Sequence, residues 1–417
     1  MGAGIFAVPS ELAASLGCYA PLAFAVCAVG IGAVAICCAE GGSRVPTSGG
    51  IYGYIEAAFG PLSSYVMGTL LWTSGVLSAA GVAAALADVA ATLAPSALHE
   101  PVHVLVVIGV IGALAAVNTA GVVYGTRLVS AATALKLLPL GVFVIAGAAA
   151  VHAGNLSPPP AWRPHELGRA VILAAFALTG METSLCISGE VARPARTIPI
   201  ALALAVGSVA ILYMVIQFIV QGILGPAAAG SAAPLADAMG RLSPVLRALM
   251  LAGTAFAMVG MVAGDMLSTP RMLFSLARDG LMPRALGLVH ARAHSPYVAI
   301  VCYAGIEMIL ALTGTFVELV VLATLVTFAL YIGACVAAWR LARRGVALAG
   351  APLNFRWLGP AMVIGVTSSL ALIALASLKE ILGLCAMMLV SGMVFVLQTH
   401  VWPVRKAVAA DLSAPDR

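Results

Sequence analysis

Three groups of residues in this sequence have the types and spacing to do chemistry. The first is the opening MGAGIF, where Gly2 and Gly4 flank Ala3, precede Ile5 and lie in an apolar run that also holds Pro9. Glycine and proline weaken a helix, and N–H groups left open around Gly2, Ala3 and Gly4 at the start of the following helical stretch suit an anion such as a carboxylate. Close helix packing through glycine accounts for this stretch equally well. The second group is AFALTGMETSLCISGEVARPARTIP, residues 175–199, where Thr179, Gly180 and the ionisable Glu182 interrupt an apolar segment. Carbonyls released near Phe176, Ala177 and Thr179 can accept hydrogen bonds from an ammonium, and Glu182 is either part of that chemistry or a hydrogen-bonded acid that stabilises the break. The third group is Lys136, in ATALKLLPLGVFV, with Asp265 as a candidate partner. Burial disfavours the charged form of a lysine, so Lys136 can change protonation; the alternative is a fixed ammonium that never titrates. An unpaired acid in an apolar segment is costly, which makes Asp265 the candidate counter-charge.

These residues need elements to hold them, and composition decides which kind. The chain has 417 residues, of which 62% are hydrophobic and 9% charged, with a mean hydropathy of +1.09. Soluble domains carry about 25% charged residues, so this is a polytopic membrane protein, embedded in a lipid bilayer. Long uninterrupted apolar runs exclude the alternating pattern of a β-barrel. Apolar segments fall near residues 1–16, 21–40, 61–94, 103–121, 128–151, 168–190, 198–223, 246–270, 296–314, 317–339, 358–377 and 381–401. That predicts an all-α protein of about twelve transmembrane helices, each span needing roughly 20 residues. NLSPPPAWRPH (Asn155 to His165) and GPAAAGSAAP (Gly225 to Pro234) are expected to be plain connections, too short for a soluble domain. No basic region precedes the first apolar run, so no cleaved signal peptide is expected.

The charges set the expected orientation. With the N-terminus inside and helices alternating, fifteen of the 21 Lys and Arg residues lie on the cytoplasmic side, five on the other, and Lys136 within a helix. This threefold excess puts both termini in the cytoplasm. The net charge of +5 follows from the same bias and needs no nucleic acid partner. The eight cysteines lie in or beside apolar segments with no CxxC, and no histidine stands at metal-ligand spacing, so neither metal nor cofactor is expected and the cysteines are read as small core residues. The five tryptophans mostly fall near predicted interfaces, and the seven histidines look like loop or interface residues. Asp88 and Glu307 either face cavities or pack near helix ends. Glu40, Arg44, Glu190, Arg193, Arg271, Arg278 and Asp279 are expected mainly to anchor cytoplasmic loops.

Irregular backbone at membrane depth is tolerated only where it lines a cavity or is buried in protein. Breaks in segments one and six, at corresponding positions of two five-helix halves, point to an inverted-repeat transporter with its site at the midplane. A carboxylate site at one break and carbonyls at the other describe a receptor for a zwitterion. Four stretches, in order over most of the chain, resemble the amino acid–polyamine–organocation (APC) superfamily of permeases: GAGIF at Gly2 to Phe6, AEGGSRVPTSGGIYGYIEAAFG at Ala39 to Gly60, FALTGMETSLCISGEVARPARTIP at Phe176 to Pro199, and TPRMLFSLARDGLMPRALG at Thr269 to Gly287. The resemblance implies the five-plus-five inverted repeat with alternating access, two further C-terminal helices, and an amino acid or related amine as substrate. One transmembrane domain over 1–401 would then hold repeats at about 1–151 and 168–339 and extra helices at about 358–401, with 402–417 a cytoplasmic tail. Lys136 resembles the helix-five lysine of some proton-coupled members, where the ammonium takes the place of a sodium ion; the resemblance therefore implies protons as partners and no sodium.

In one respect the chain departs from that pattern. Met1 to Leu16 extends roughly 24 Å as a helix, short of a bilayer core of about 30 Å, so the first helix is expected to lack its N-terminal half. A start codon assigned too far downstream, a truncated chain and a natural deletion would each account for it, and each weakens the site at Gly2 and Gly4. The expected function is proton-coupled, sodium-independent import of amino acids across the cytoplasmic membrane, neutral ones being favoured because Glu182 is the one acid near the breaks. An amino acid or polyamine exchanger or exporter is the alternative within transport, and a non-transporting permease serving as sensor or subunit the alternative outside it. An enzyme is not expected: HExxH, a GxSxG with a partnered histidine, and acid pairs at useful spacing are all missing from the sequence.

Overall fold

The computed structural model of the chain describes residues 3–45, 51–156, 158, 164–182, 194–278, 280, 282–290, 293, 295–348 and 352–401. Regular structure among the described residues is helical throughout. That is the outcome lipid demands, since a helix satisfies its own backbone. The major helices are α1 (Gly4–Leu16), α2 (Ala20–Arg44), α3 (Ile51–Phe59), α4 (Pro61–Ala91), α5 (His99–Ala120), α6 (Val122–Ala148), α7 (Pro164–Leu178) and α8 (Pro194–Leu224). They continue with α9 (Pro234–Gly240), α10 (Pro244–Arg278), α11 (Tyr297–Thr313), α12 (Phe316–Arg343), α13 (Leu358–Ala374) and α14 (Leu378–Val401). Seven stretches among the described residues are long and apolar enough to cross a membrane, α1 and α2 counting as one, and three shorter apolar helices accompany them.

Each apolar segment read from the sequence is mainly helical where it is described, apart from its ends and the break at Thr179 and Gly180. Two short helices go beyond that reading. α3 lies between α2 and α4, and the expected plain connection at Gly225 to Pro234 instead forms a 3-10 turn, Gly225–Ala228, and leads into α9. Pro234 opens α9 at the position where a missing N–H costs nothing.

Outward faces are apolar. Leu22, Val26 and Val29 follow helical spacing on one side of α2 and are 59%, 67% and 65% exposed, a stripe that lipid covers. Inward faces are small. The run Ser78 to Ala87 of α4 is buried against α12, and a Cβ at Gly81 would stand 2.9 Å from Val320 Cγ2, so the two backbones approach closely. Hydrogen bonds add to this contact: Ser74 Oγ donates to the Ala323 carbonyl at 3.1 Å and lies 2.6 Å from Thr327 Oγ1. Cys27, Cys37, Cys38 and Cys335 are core residues as expected, whereas Cys302 and Cys385 are exposed on apolar helices. Trp72 also differs from expectation: it lies well inside α4, about 16 Å along the helix from its start, with Nε1 buried rather than at an interface.

Candidate functional site

α1 packs on α7, and the first turn of one meets the last turn of the other. A Cβ at Gly4 would lie 3.2 Å from Ala177 Cα and 3.3 Å from a Phe176 ring carbon. The glycine is thus needed for close approach, and the packing explanation of Gly4 is realised in the fold. Ala3 precedes the helix with no side-chain cap, so the N–H groups of Gly4 and Ile5 fall in the first turn, where a helix leaves donors open. Ala3 and Ile5 are buried, and the Ala3 N–H points at Met261 Sδ of α10, 3.2 Å away. Gly2 lies outside the described residues. Pro9 interrupts α1 further on, and its carbonyl accepts from Gln217 Nε2 of α8 at 3.3 Å.

The break after α7 is where the sequence places it. The helix ends at Leu178, Gly180 adopts φ +115°, and Met181 and Glu182 resume helical backbone. A positive φ of this size is glycine's territory, so Gly180 permits the break. The Phe176 carbonyl is not released, however. It accepts from the Thr179 N–H at 3.0 Å and from Thr179 Oγ1 at 2.7 Å, so both lone pairs are used. The expectation that this carbonyl receives an ammonium is corrected: Thr179 folds back and satisfies it. Phe176 instead offers its ring, edge-on to Phe316 of α12 at 6.4 Å between centroids. Glu182 is buried, and its Oε2 accepts from the Gly180 N–H at 3.1 Å and from the Tyr331 hydroxyl of α12 at 2.5 Å. It therefore holds the break together and ties it to α12.

Lys136 and Asp265 do not meet as an ion pair. α6 and α10 pack through Pro139 against Gly253, and the end of α6 at Gly147 reaches Met239 of α9, so the two long helices run antiparallel. Asp265 is twelve residues beyond Gly253 and Lys136 three before Pro139, which puts them about 13 Å apart along the axes. Ion pairs seen among the described residues include Glu40–Arg44, Asp88–His103 and Asp237–Arg247. Lys136 is half-buried on α6. Asp265 is half-buried on α10.

At the cytoplasmic end expected from the charges, Glu40 and Arg44 form a buried clamp. Arg44 Nε donates to Glu40 Oε1 at 2.8 Å, Nη1 to the Val346 carbonyl at 3.0 Å and Nη2 to Asn354 Oδ1 at 2.6 Å. Glu40 Oε2 accepts from the Phe355 N–H at 3.0 Å. This anchors the segment joining α12 to α13, as loop-anchoring predicts. Asp88 packs near a helix end, 3.0 Å from His103 Nδ1. Glu190, Arg193 and Asp279 lie outside the described residues.

Some residues of this region carry weak signals or none in the sequence. Gln217 and Gln221 stand four apart in the apolar run of α8, a spacing that puts both on one buried face. Tyr331, which completes Glu182, carries no local signal, because its partner is 149 residues away.

Similarity to known proteins bears on what such a site serves. A family model described as amino acid permease matches residues 1–407. A transporter of Mycobacterium tuberculosis that is named as uncharacterized is 33% identical over 319 residues, covering 75% of this chain and 70% of that protein. A branched-chain amino acid permease of Bacillus subtilis is 26% identical over 361 residues, 78% of this chain and 73% of the permease. A methylthioribose transporter of the same organism is 24% identical over 356 residues, 79% and 75% of the two chains. With the family model spanning nearly the whole length, this multi-pass membrane protein belongs to the amino acid permease family of the APC superfamily, a family of transporters and not of enzymes.

Proposed function

We propose that this protein imports neutral amino acids across the cytoplasmic membrane by alternating access, driven by protons and independent of sodium. One observation carries the reading: the uncapped, buried first turn of α1 abuts the break that ends α7. The substrate carboxylate is received by the N–H groups at Ala3, Gly4 and Ile5, with Gly2 ahead of them. The ammonium is received at the Ala177, Thr179 and Gly180 side of the break, and an apolar side chain packs near the Phe176 ring. Lys136 is the residue whose protonation accompanies transport, with Glu182 supporting the break.

The packing of the helices supports a five-plus-five inverted repeat; the excess of Lys and Arg on one side supports cytoplasmic termini. Counting α3 and α9 as connections, α1 packs on α7, α2 on α8, α4 on α10 and α5 on α11, so four elements of the first half each meet their counterpart in the second. The repeats run over about 1–151 and 168–339, the extra helices over 358–401 and the cytoplasmic tail over 402–417. The Bacillus permease named for branched-chain amino acids makes those substrates the first to try. A second substrate reading comes from the relative named for methylthioribose, which lacks the zwitterion.

Uptake into proteoliposomes tests this. Labelled leucine, isoleucine and valine, with methylthioribose as the comparison, are offered with and without an inward proton gradient, in sodium and in potassium. Gradient-driven, sodium-indifferent uptake of an amino acid that Lys136→Ala abolishes is the expected result. Flux only against substrate loaded on the opposite side, whatever the pH, makes the protein an exchanger. Silence toward every substrate from a correctly folded sample makes it a sensor or subunit.

A further inference from the structure

Glu307 lies in the middle of α11, ten residues from the helix start and so about 15 Å along it. It is 0% exposed, and neither carboxyl oxygen has a hydrogen-bond partner. An isolated carboxylate in such a place would be prohibitively costly, and in practice such a group takes up a proton instead. The surroundings are polar without being basic. Tyr303, one turn earlier on α11, approaches the Gly75 carbonyl of α4 at 3.5 Å. A Cβ at Gly75 would stand 2.8 Å from Thr269 Oγ1, so α4 and α10 close tightly over this spot.

Among the described residues no helix packed on α11 forms an ion pair with Glu307, and the buried Nη1 and Nη2 of Arg271 on α10 have no hydrogen-bond partner either. α4 carries Asp88 and α5 carries His103, which bind each other some 20 Å along α4 from Gly75, and His99 and Glu100 lie at that same end of α5. Tyr65 of α4 points to Met282 and Phe395 instead. On α10, Arg247 pairs with Asp237 near one end, and Arg278 lies at the other over Phe274. Arg271 is nearer the second end, Arg284 sits in the 3-10 turn beyond, and on α11 itself Tyr297 and Cys302 lie toward its start.

We infer that Glu307, enclosed and unpartnered between α4, α10 and α11, is a proton-binding site of this protein. A proton bound at Glu307 neutralises the carboxyl in the enclosed state and leaves to water when the helices separate. The step moves one proton between a carboxyl oxygen and water, with no other bond made or broken. Its link to transport rests on the importer reading above.

Infrared difference spectroscopy on the full chain in liposomes tests the protonation without any substrate. The wild type is expected to show, at neutral pH, the C=O stretch of a protonated carboxyl that Glu307→Gln lacks and Glu307→Asp shifts. Identical spectra for wild type and both variants overturn the proposal, and a band that sodium alone alters makes the site a metal-cation site instead. Flux then tests the coupling. Glu307→Gln is expected to lower the proton-to-substrate ratio of substrate-driven acidification of the vesicle lumen while still exchanging labelled for unlabelled substrate. Acidification at the wild-type proton-to-substrate ratio overturns the coupling role. A wild type that neither takes up nor exchanges substrate sinks the importer reading, and the infrared bands still decide Glu307.

Discussion

Glu40 and Glu307 are both fully enclosed, yet they are held in opposite ways. Glu40 has Arg44 four residues along the same helix and the Phe355 N–H across the bundle, and Arg44 in turn reaches Val346 and Asn354. Glu307 has neither a counter-charge nor a hydrogen bond. A buried charge with all its partners fixes one geometry, because moving any member strands the others. A buried acid with none stays by being neutral, and nothing local resists its change of state. The first region is suited to a fixed anchor and the second to a part that changes during a cycle.

Breaking the anchor should have the largest effect. Arg44→Ala leaves Glu40 enclosed without its counter-ion, a loss of about 3–5 kcal/mol that a thermal melt in detergent will register. A melt equal to wild type would remove the contrast between the two acids. Next comes Gly4→Val, whose side chain must displace Ala177 at the α1–α7 contact. Overpacking of this kind costs about 1–3 kcal/mol, and substrate uptake is expected to disappear with it. Normal uptake would mean that α1 and α7 need not touch for the site to work.

Tyr331→Phe sharpens the comparison from the middle, because Glu182 then keeps the Gly180 N–H and loses a hydroxyl. The expected destabilisation is about 1–3 kcal/mol, read from the same melt. The smallest effect belongs to Glu307→Gln, expected to lie within about 1 kcal/mol of wild type because no partner is stranded by the change. A loss as large as that of Arg44→Ala would show that Glu307 is paired in the folded protein, and the two acids would then be alike.

About half of the candidate site is legible in the residues alone. Gly180 and Thr179 mark a break because glycine and a hydroxyl stand out against an apolar run, and α7 does end at Leu178. The fate of the Phe176 carbonyl is not legible, since Thr179 returns to satisfy it through a turn that residue type alone does not specify. Chemistry pairs Lys136 with Asp265, opposite charges in lipid needing one another. The register of α6 on α10, set by Pro139 against Gly253, separates them. Trp72 and the short helix α9 escape sequence reading for a related reason: neither indole burial nor a two-turn helix leaves a clear mark in a uniformly apolar chain.

Apolar run lengths, glycine and proline breaks and the placement of Lys and Arg are enough to establish a helical multi-pass membrane protein, to locate its interruptions and to show its family resemblance. Those properties are local, set by the cost of backbone and charge in hydrocarbon. Which acid is clamped, which holds up the break and which stands alone is decided only when helices far apart in sequence pack in one register. Glu40, Glu182 and Glu307 are the same side chain in similar apolar surroundings, and they differ because Arg44 with the Phe355 N–H, Tyr331 with the Gly180 N–H, and no partner at all, respectively, lie against them.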